Sequence, residues 1–281
     1  MSTKYAPIKR IDQIYCQVVS VGDVNKLYYL FSNTLGLPEA WPPTDKKSYY
    51  GGGVYTGNTW LKWTSPNTRA YVMTDHPARF RSLSLLPTDY DKSLKTLENR
   101  GIETEYDGAA TVPDETGEEK EWARSSSLTQ KPYKDYNLFI CRYTPVAFPA
   151  LTTTPEAEDL DQHYKIMRSR LDSLDGGCLG VRYVKEVELG AEKLRDCTRR
   201  WQAILDPVKP VSEACWRIGN GPMVRLTGDS VNRIRSLTFR VRSIRRARMV
   251  LKGLGLLGEV KGDTLTICPD KVNGLEFKLT K

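Results

Sequence analysis

Apolar residues recur at every second position in some stretches of the chain and at every third or fourth in others, and the two periods alternate four times. Ile11–Val19 predicts a strand, followed by a helix over Asp23–Leu35 and an exit at Gly36-Leu37-Pro38. Phe80–Leu86 predicts a second strand, with a helix over Asp89–Asn99 and Gly101-Ile102 after it. A third strand over Val181–Leu189 precedes a helix over Ala191–Leu205, and a fourth over Leu237–Val241 precedes a helix over Ser243–Lys252. Val24, Leu27, Tyr28, Phe31 and Leu35 share one helical face, as do Leu194, Cys197, Trp201, Ile204 and Leu205. Gly36, Gly101 and Gly253 stand where helices end in a left-handed residue.

Strand-like runs follow each helix. Ser48–Tyr55 and Thr59–Thr64 flank Thr56-Gly57-Asn58, a hairpin signal. Ala214–Ile218 and Met223–Thr227 flank Gly219-Asn220-Gly221 in the same way. The second and fourth units end in strands over Asn137–Thr144 and Gly274–Thr280. The units therefore pair into a first domain at 8–147 and a second at 179–281. The linker between them, 148–178, carries a helix over Glu156–Leu174. Asp107–Lys134 is polar, with Pro113 to Gly117 inside it, and reads as a long loop or flap. The Pro-rich segment Leu37–Pro43 either holds Trp41 over a pocket mouth or is a surface loop.

Composition narrows the function classes. A chain of 281 residues that is 40% hydrophobic and 27% charged is a globular composition with material for a core. No apolar run approaches the ~18 residues that span a membrane, and the N-terminus lacks the order of a signal peptide. The six cysteines contain no CxxC pair, which argues against a zinc cluster and for reduced thiols in a cytoplasmic protein. The net charge of +8 gathers partly in Arg199-Arg200 and in the arginines between Arg233 and Arg248. No nucleic-acid motif accompanies them, so the charge suits a solvated surface or an anionic small ligand better than a nucleic acid. Only two histidines, His76 and His163, are present, too few for a His-rich metal site in each domain.

Ile11-Asp12-Gln13-Ile14, with Asp23, Phe31 and Leu35-Gly36-Leu37, resembles the opening of a vicinal oxygen chelate domain, the glyoxalase, bleomycin-resistance and extradiol dioxygenase superfamily. Gly52-Gly53-Val54 through Gly57-Asn58 is similar to its later hairpin. The resemblance implies an α+β fold of four βαβββ units, paired into two tandem domains whose mixed sheets curl around a site. It also implies metal ligands at set strand positions. In the first domain those positions read Gln13, Lys62, Ser82 and Arg142, or Cys141 if the register slips by one. In the second they read Glu186, Arg225, Ser236 and Lys278. Cations at ligand positions oppose a divalent ion, so the expectation is a chain with its metal ligands lost and no cofactor.

Lys62, Arg142, Ser82 and Gln13 pointing into one concave sheet would receive a carboxylate, phosphate or enolate oxygen. A one-residue register error would instead turn the bases outward. Trp60, Tyr50, Tyr55 and Trp41 belong to an aromatic-rich stretch that either stacks a flat ligand or packs a core. His76, after the hairpin, is either a general base or a surface residue. Three classes stay open: a metal-independent isomerase or lyase using Lys62, Arg142, Ser82 and His76; a binding or sequestering protein for a small acidic or aromatic molecule; and a regulatory module without a small ligand. The partner is expected to be a small molecule, and the chain a monomer or homodimer.

Overall fold

β1 (Ile8–Val18), with Ile8, Ile11, Ile14 and Val18 buried, lies at the centre of the N-terminal half, where both its edges are paired. The computed structural model describes residues 5–46, 49–66, 78–113, 116–129, 136–144, 154 and 156–281. A capping box between Ser20 and Asp23 starts α1 (Val21–Tyr29). One π-turn, Leu30–Thr34, extends it to Leu35. β2 (Glu39–Asp45), β3 (Tyr49–Tyr55) and β4 (Trp60–Pro66) complete the first unit. β2 is an edge strand, which is why it tolerates Pro42 and Pro43, residues without an N–H to pair.

The second unit is β5 (Ala78–Pro87), α2 (Tyr90–Glu98), β6 (Thr104–Pro113), β7 (Glu119–Leu128) and β8 (Asn137–Tyr143). The polar segment expected to be a loop or flap is thus largely a hairpin, with Thr104 opposite Leu128 and Ala110 opposite Ala123. Its strands lack apolar alternation because the inner positions face a cavity rather than a core.

α3 (Leu160–Ser173), capped by Asp159, leads into the C-terminal half. That half contains β9 (Val181–Ala191), α4 (Leu194–Leu205), β10 (Cys215–Arg217), β11 (Met223–Gly228), β12 (Arg233–Val241), α5 (Ile244–Gly253), β13 (Leu257–Lys261), β14 (Thr264–Ile267) and β15 (Glu276–Thr280). The third unit carries two strands after its helix where the others carry three.

The halves share one pairing scheme. β1 pairs parallel with β4 and antiparallel with β5, and β5 pairs parallel with β8. Likewise β9 pairs with β11 and β12, and β12 with β15. Ile234 of β12 bridges Phe80 of β5, so fifteen strands form one continuous curled mixed sheet. An α+β architecture of repeated βα units is what the alternating periods predicted.

The core crosses the junction. Phe31 lies with its ring 5.0 Å from Trp63 and 5.0 Å from Phe277, and Phe277 stacks on Phe239 at 5.9 Å. The hairpin turns also dock across it. Asn58 donates to the Val184 carbonyl and accepts from its N–H, both at 3.0 Å, continuing the edge of β9. Reciprocally, Gly221 sits so close to β1 that a side chain there would press on Arg10 and Ile11 at 3.2 Å.

Candidate functional site

Past a register irregularity between Ile11 and Gln13, the period of two that buries Ile14 on the helix side of β1 turns Gln13 and Tyr15 to the other side. On β8, Phe139, Cys141 and Tyr143 face the same way, while Leu138 and Ile140 are buried in the core. With Lys62 of β4, Tyr49 of β3, Trp41 of β2 and Trp122 and Arg124 of β7, they enclose a cavity of about 520 Å³. A second compartment of about 450 Å³ continues it, sharing Tyr15, Tyr49, Ser125 and Phe139.

Glycine makes the aromatic wall possible. A Cβ at Gly53 would lie 3.0 Å from the Trp41 ring and 2.9 Å from the Leu61 carbonyl, and one at Gly52 would meet Pro43 at 3.0 Å. Their absence lets β2 press Trp41 against Trp60, edge to face at 4.8 Å.

Lys62 is held among rings. Its ammonium lies 4.7 Å from the centroid of Tyr49, 5.1 Å from Tyr15 and 5.7 Å from Trp41, and it donates to the Tyr49 hydroxyl at 2.9 Å. Among the described residues no carboxylate pairs with it. Lys46, Lys62 and Arg124 line the cavity, and among the described residues no Asp or Glu does. Arg124 is matched behind the wall by Glu121, at 2.6 Å.

A buried polar chain runs from the cavity into the protein. Gln13 donates its amide to the Tyr143 hydroxyl, and Tyr143 donates to Asp12 at 2.7 Å. Tyr164 of α3 donates to the other Asp12 oxygen at 2.6 Å. Burial raises the Asp12 carboxyl above its ordinary value, against the opposing pull of both tyrosine hydroxyls and of Arg10. Burial likewise puts the Tyr15 and Tyr143 phenols well above theirs and pushes the Cys141 thiol up to about 12. The two phenols and the thiol are neutral at pH 7, as a hydrogen-bonding wall for a ligand requires. The Gln13 carbonyl oxygen is buried without a donor among the described residues and lies beside the cavity.

The residues singled out from sequence divide. Gln13, Lys62 and Trp41 line the cavity. Ser82 lines the adjoining compartment. Trp60 is 1% exposed and backs Trp41, stacked on Tyr164 at 4.8 Å. Tyr50 points to the helix side, donating to Asn25 of α1 at 3.0 Å, and its neighbour Tyr49 takes the cavity position. Tyr55 is buried elsewhere and donates to the Gly57 carbonyl at 2.8 Å. Arg142 also lies on the helix side, over the Tyr90 ring at 5.7 Å and paired with Glu121 at 3.0 Å. Strand alternation gives the cavity position to Cys141 instead. His76 lies outside the described residues. Sequence reasoning missed Tyr15, Trp122 and Tyr143. Tyr15 stands two residues from Gln13, so alternation alone could have found it.

In the second half the corresponding positions come together but neutralise one another. Arg225 pairs with Glu186 at 2.9 Å, and Lys278 with Glu188 at 2.8 Å, while Ser236 donates to Glu188 at 3.0 Å. Burial works to raise the Glu188 carboxyl, but Lys278, Ser236 and Arg235 outweigh it and hold the group below its ordinary value.

A metal of the kind this fold often holds does not suit the first-half cavity. Its four strand positions present an amide, an ammonium, a serine and a thiol that burial keeps protonated, and the ammonium would repel a divalent ion. Among the described residues no group of three or more His, Cys, Asp or Glu comes together.

No known protein family profile matches the sequence. No curated protein sequence matches it either. Solved structures do match in three dimensions. A hypothetical protein from Staphylococcus aureus superposes with a TM-score of 0.59 at 8% identity, covering 96% of this chain and 98% of its own. A triple mutant of 4-hydroxymandelate synthase from Streptomyces coelicolor superposes at 0.63, with 12% identity and 97% and 92% coverage. A variant of homoprotocatechuate 2,3-dioxygenase from Brevibacterium fuscum in complex with HPCA superposes at 0.62, with 12% identity, covering 98% of this chain and 72% of its own. Extradiol dioxygenases and hydroxymandelate synthase have the vicinal oxygen chelate fold, and so does this chain.

Proposed function

We propose that this chain binds a small planar organic acid in the first-half cavity, without a metal. The observation that carries the reading is Lys62: an ammonium on the cavity floor, ringed by Tyr15, Trp41 and Tyr49, with no carboxylate partner among the described residues. The Tyr49 hydroxyl accepts from one N–H, and the ring faces stabilise the charge but offer the others no lone pairs, so an entering carboxylate or enolate oxygen completes the site. The volume of about 520 Å³ suits a ligand of one or two rings, and Gln13 supplies an acceptor for a ligand hydroxyl or amine. Six unpaired cysteines accord with a reducing, cytoplasmic setting.

Titration of tryptophan fluorescence with benzoate, phenylacetate and cinnamate, each beside its methyl ester, tests this. The acids are expected to bind at least ten-fold more tightly than the esters. Lys62→Met is expected to remove that preference, about 1.4 kcal/mol or more, while leaving the thermal transition unchanged. Equal binding of acids and esters, or a Lys62→Met variant that keeps the preference, would overturn the reading.

One observation favours catalysis on the same ligand as a second reading. Tyr143 reaches the cavity backed by the buried Asp12 carboxyl, a pair able to pass a proton in an isomerase or lyase step. Tyr143→Phe would then abolish turnover of a bound acid while sparing its affinity. Turnover surviving in that variant would remove this reading.

A further inference from the structure

A second cleft, about 930 Å³, opens where α3 meets both halves of the sheet. Its floor is Arg10 of β1, only 3% exposed, with its guanidinium 3.4 Å over the Tyr164 ring. Among the described residues, Nε and Nη2 of Arg10 are buried without a hydrogen-bond acceptor. The nearest ion-pair oxygen, Oδ1 of Asp161, is 3.8 Å away and is already engaged by Lys9 at 3.1 Å. Leaving such N–H groups unmatched costs about 1–3 kcal/mol each, which marks the place as built for a guest.

The rim agrees in charge. Lys165 of α3, Lys185 of β9 and Arg217 of β10 line the cleft, and among the described residues none of them pairs with a carboxylate. Arg168, also in the lining, is matched by Asp172 at 2.9 Å. Five cations therefore face two carboxylates, Asp161 and Asp172. The cations arrive from separate strands and a helix, so nothing in the periodicity of a single element gathers them.

We propose that this cleft is a second ligand site, separate from the aromatic cavity, that takes a phosphate-bearing small anion. A multiply charged tetrahedral oxyanion satisfies several forked donors at once, as Arg10 and Arg217 present them, and the ammonium groups of Lys165 and Lys185 add point charges. A single carboxylate would leave most of the excess charge unmatched. Bound there, the anion touches both halves and the connecting helix together.

Calorimetric titration with pyrophosphate at low salt tests the site in the full chain. One-to-one binding is expected, weakening steeply as salt is raised to about 0.2 M. The double variant Lys165→Gln, Arg217→Gln changes exposed residues and is expected to lower that affinity at least ten-fold. It is expected to leave fluorescence titration with an aromatic acid unchanged, so failure of this site is distinguishable from failure of the aromatic one. Parallel titrations with inorganic phosphate and a nucleoside diphosphate separate a free ion from the phosphate of a larger metabolite. Absence of pyrophosphate binding, a double variant that binds as the wild type does, or a single-stranded oligonucleotide bound ten-fold more tightly than any of these would overturn the proposal.

Discussion

At the scale of single residues, environment sets what each group can do. Lys62 and Arg142 are both strand cations, yet one faces rings and the other an acid. Lys62 stays available to a ligand, whereas Arg142 is matched by Glu121 on the helix side. His163 is the clearest titrating case. Burial holds its pKa at about 4, below the ordinary 6.5, with Arg170 adding to the effect. A histidine lowered on folding leaves stability intact above pH 6.5 and withdraws it as the pH falls toward 4, because the unfolded chain takes up the proton first. The full shift corresponds to about 3 kcal/mol. Denaturant titrations at pH 7 and pH 4 should therefore show the wild type losing up to that much more stability than His163→Phe. Parallel losses in the two proteins would show that His163 carries no such penalty.

At the scale of elements, the site depends on β2 lying flat against β3. Gly53→Ala places a methyl 3.0 Å from the Trp41 ring and 2.9 Å from a β4 carbonyl. Such overpacking is expected to cost about 1–3 kcal/mol and to weaken aromatic-acid binding, read by chemical denaturation and by fluorescence titration. A variant with unchanged affinity would mean that the position of Trp41 is not critical. The strongly patterned elements were legible beforehand: α3 follows the spacing of Leu160, His163, Tyr164, Met167 and Leu171, and β1 and β9 follow their runs rich in β-branched aliphatic residues. The β6–β7 hairpin was not, because Gly108, Ala110 and Ser125 face an open cavity and need no apolar side chains. β2 was hidden by its prolines, which only an edge strand accommodates.

At the scale of the whole molecule, the halves are joined by a shared aromatic core and by turns that dock across the junction. Asn58→Ala removes a donor and an acceptor from the Val184 backbone. Loss of both is expected to cost about 2–3 kcal/mol, with faster amide exchange along the edge of β9. If exchange there stays as in the wild type, the turn does not hold the halves together. The sequence by itself determined the repeated strand–helix units and the hairpin turns, because each is a local period or a residue identity. Only the tertiary structure decided which cations share a space. A register step of one residue exchanges Arg142 for Cys141. Contacts between distant segments bring Tyr143 to Asp12, tie up Glu188 with Lys278, and, among the described residues, leave Lys62 without a carboxylate and two Arg10 nitrogens without an acceptor. Register and long-range packing belong to the folded sheet, and no short window of the chain records them.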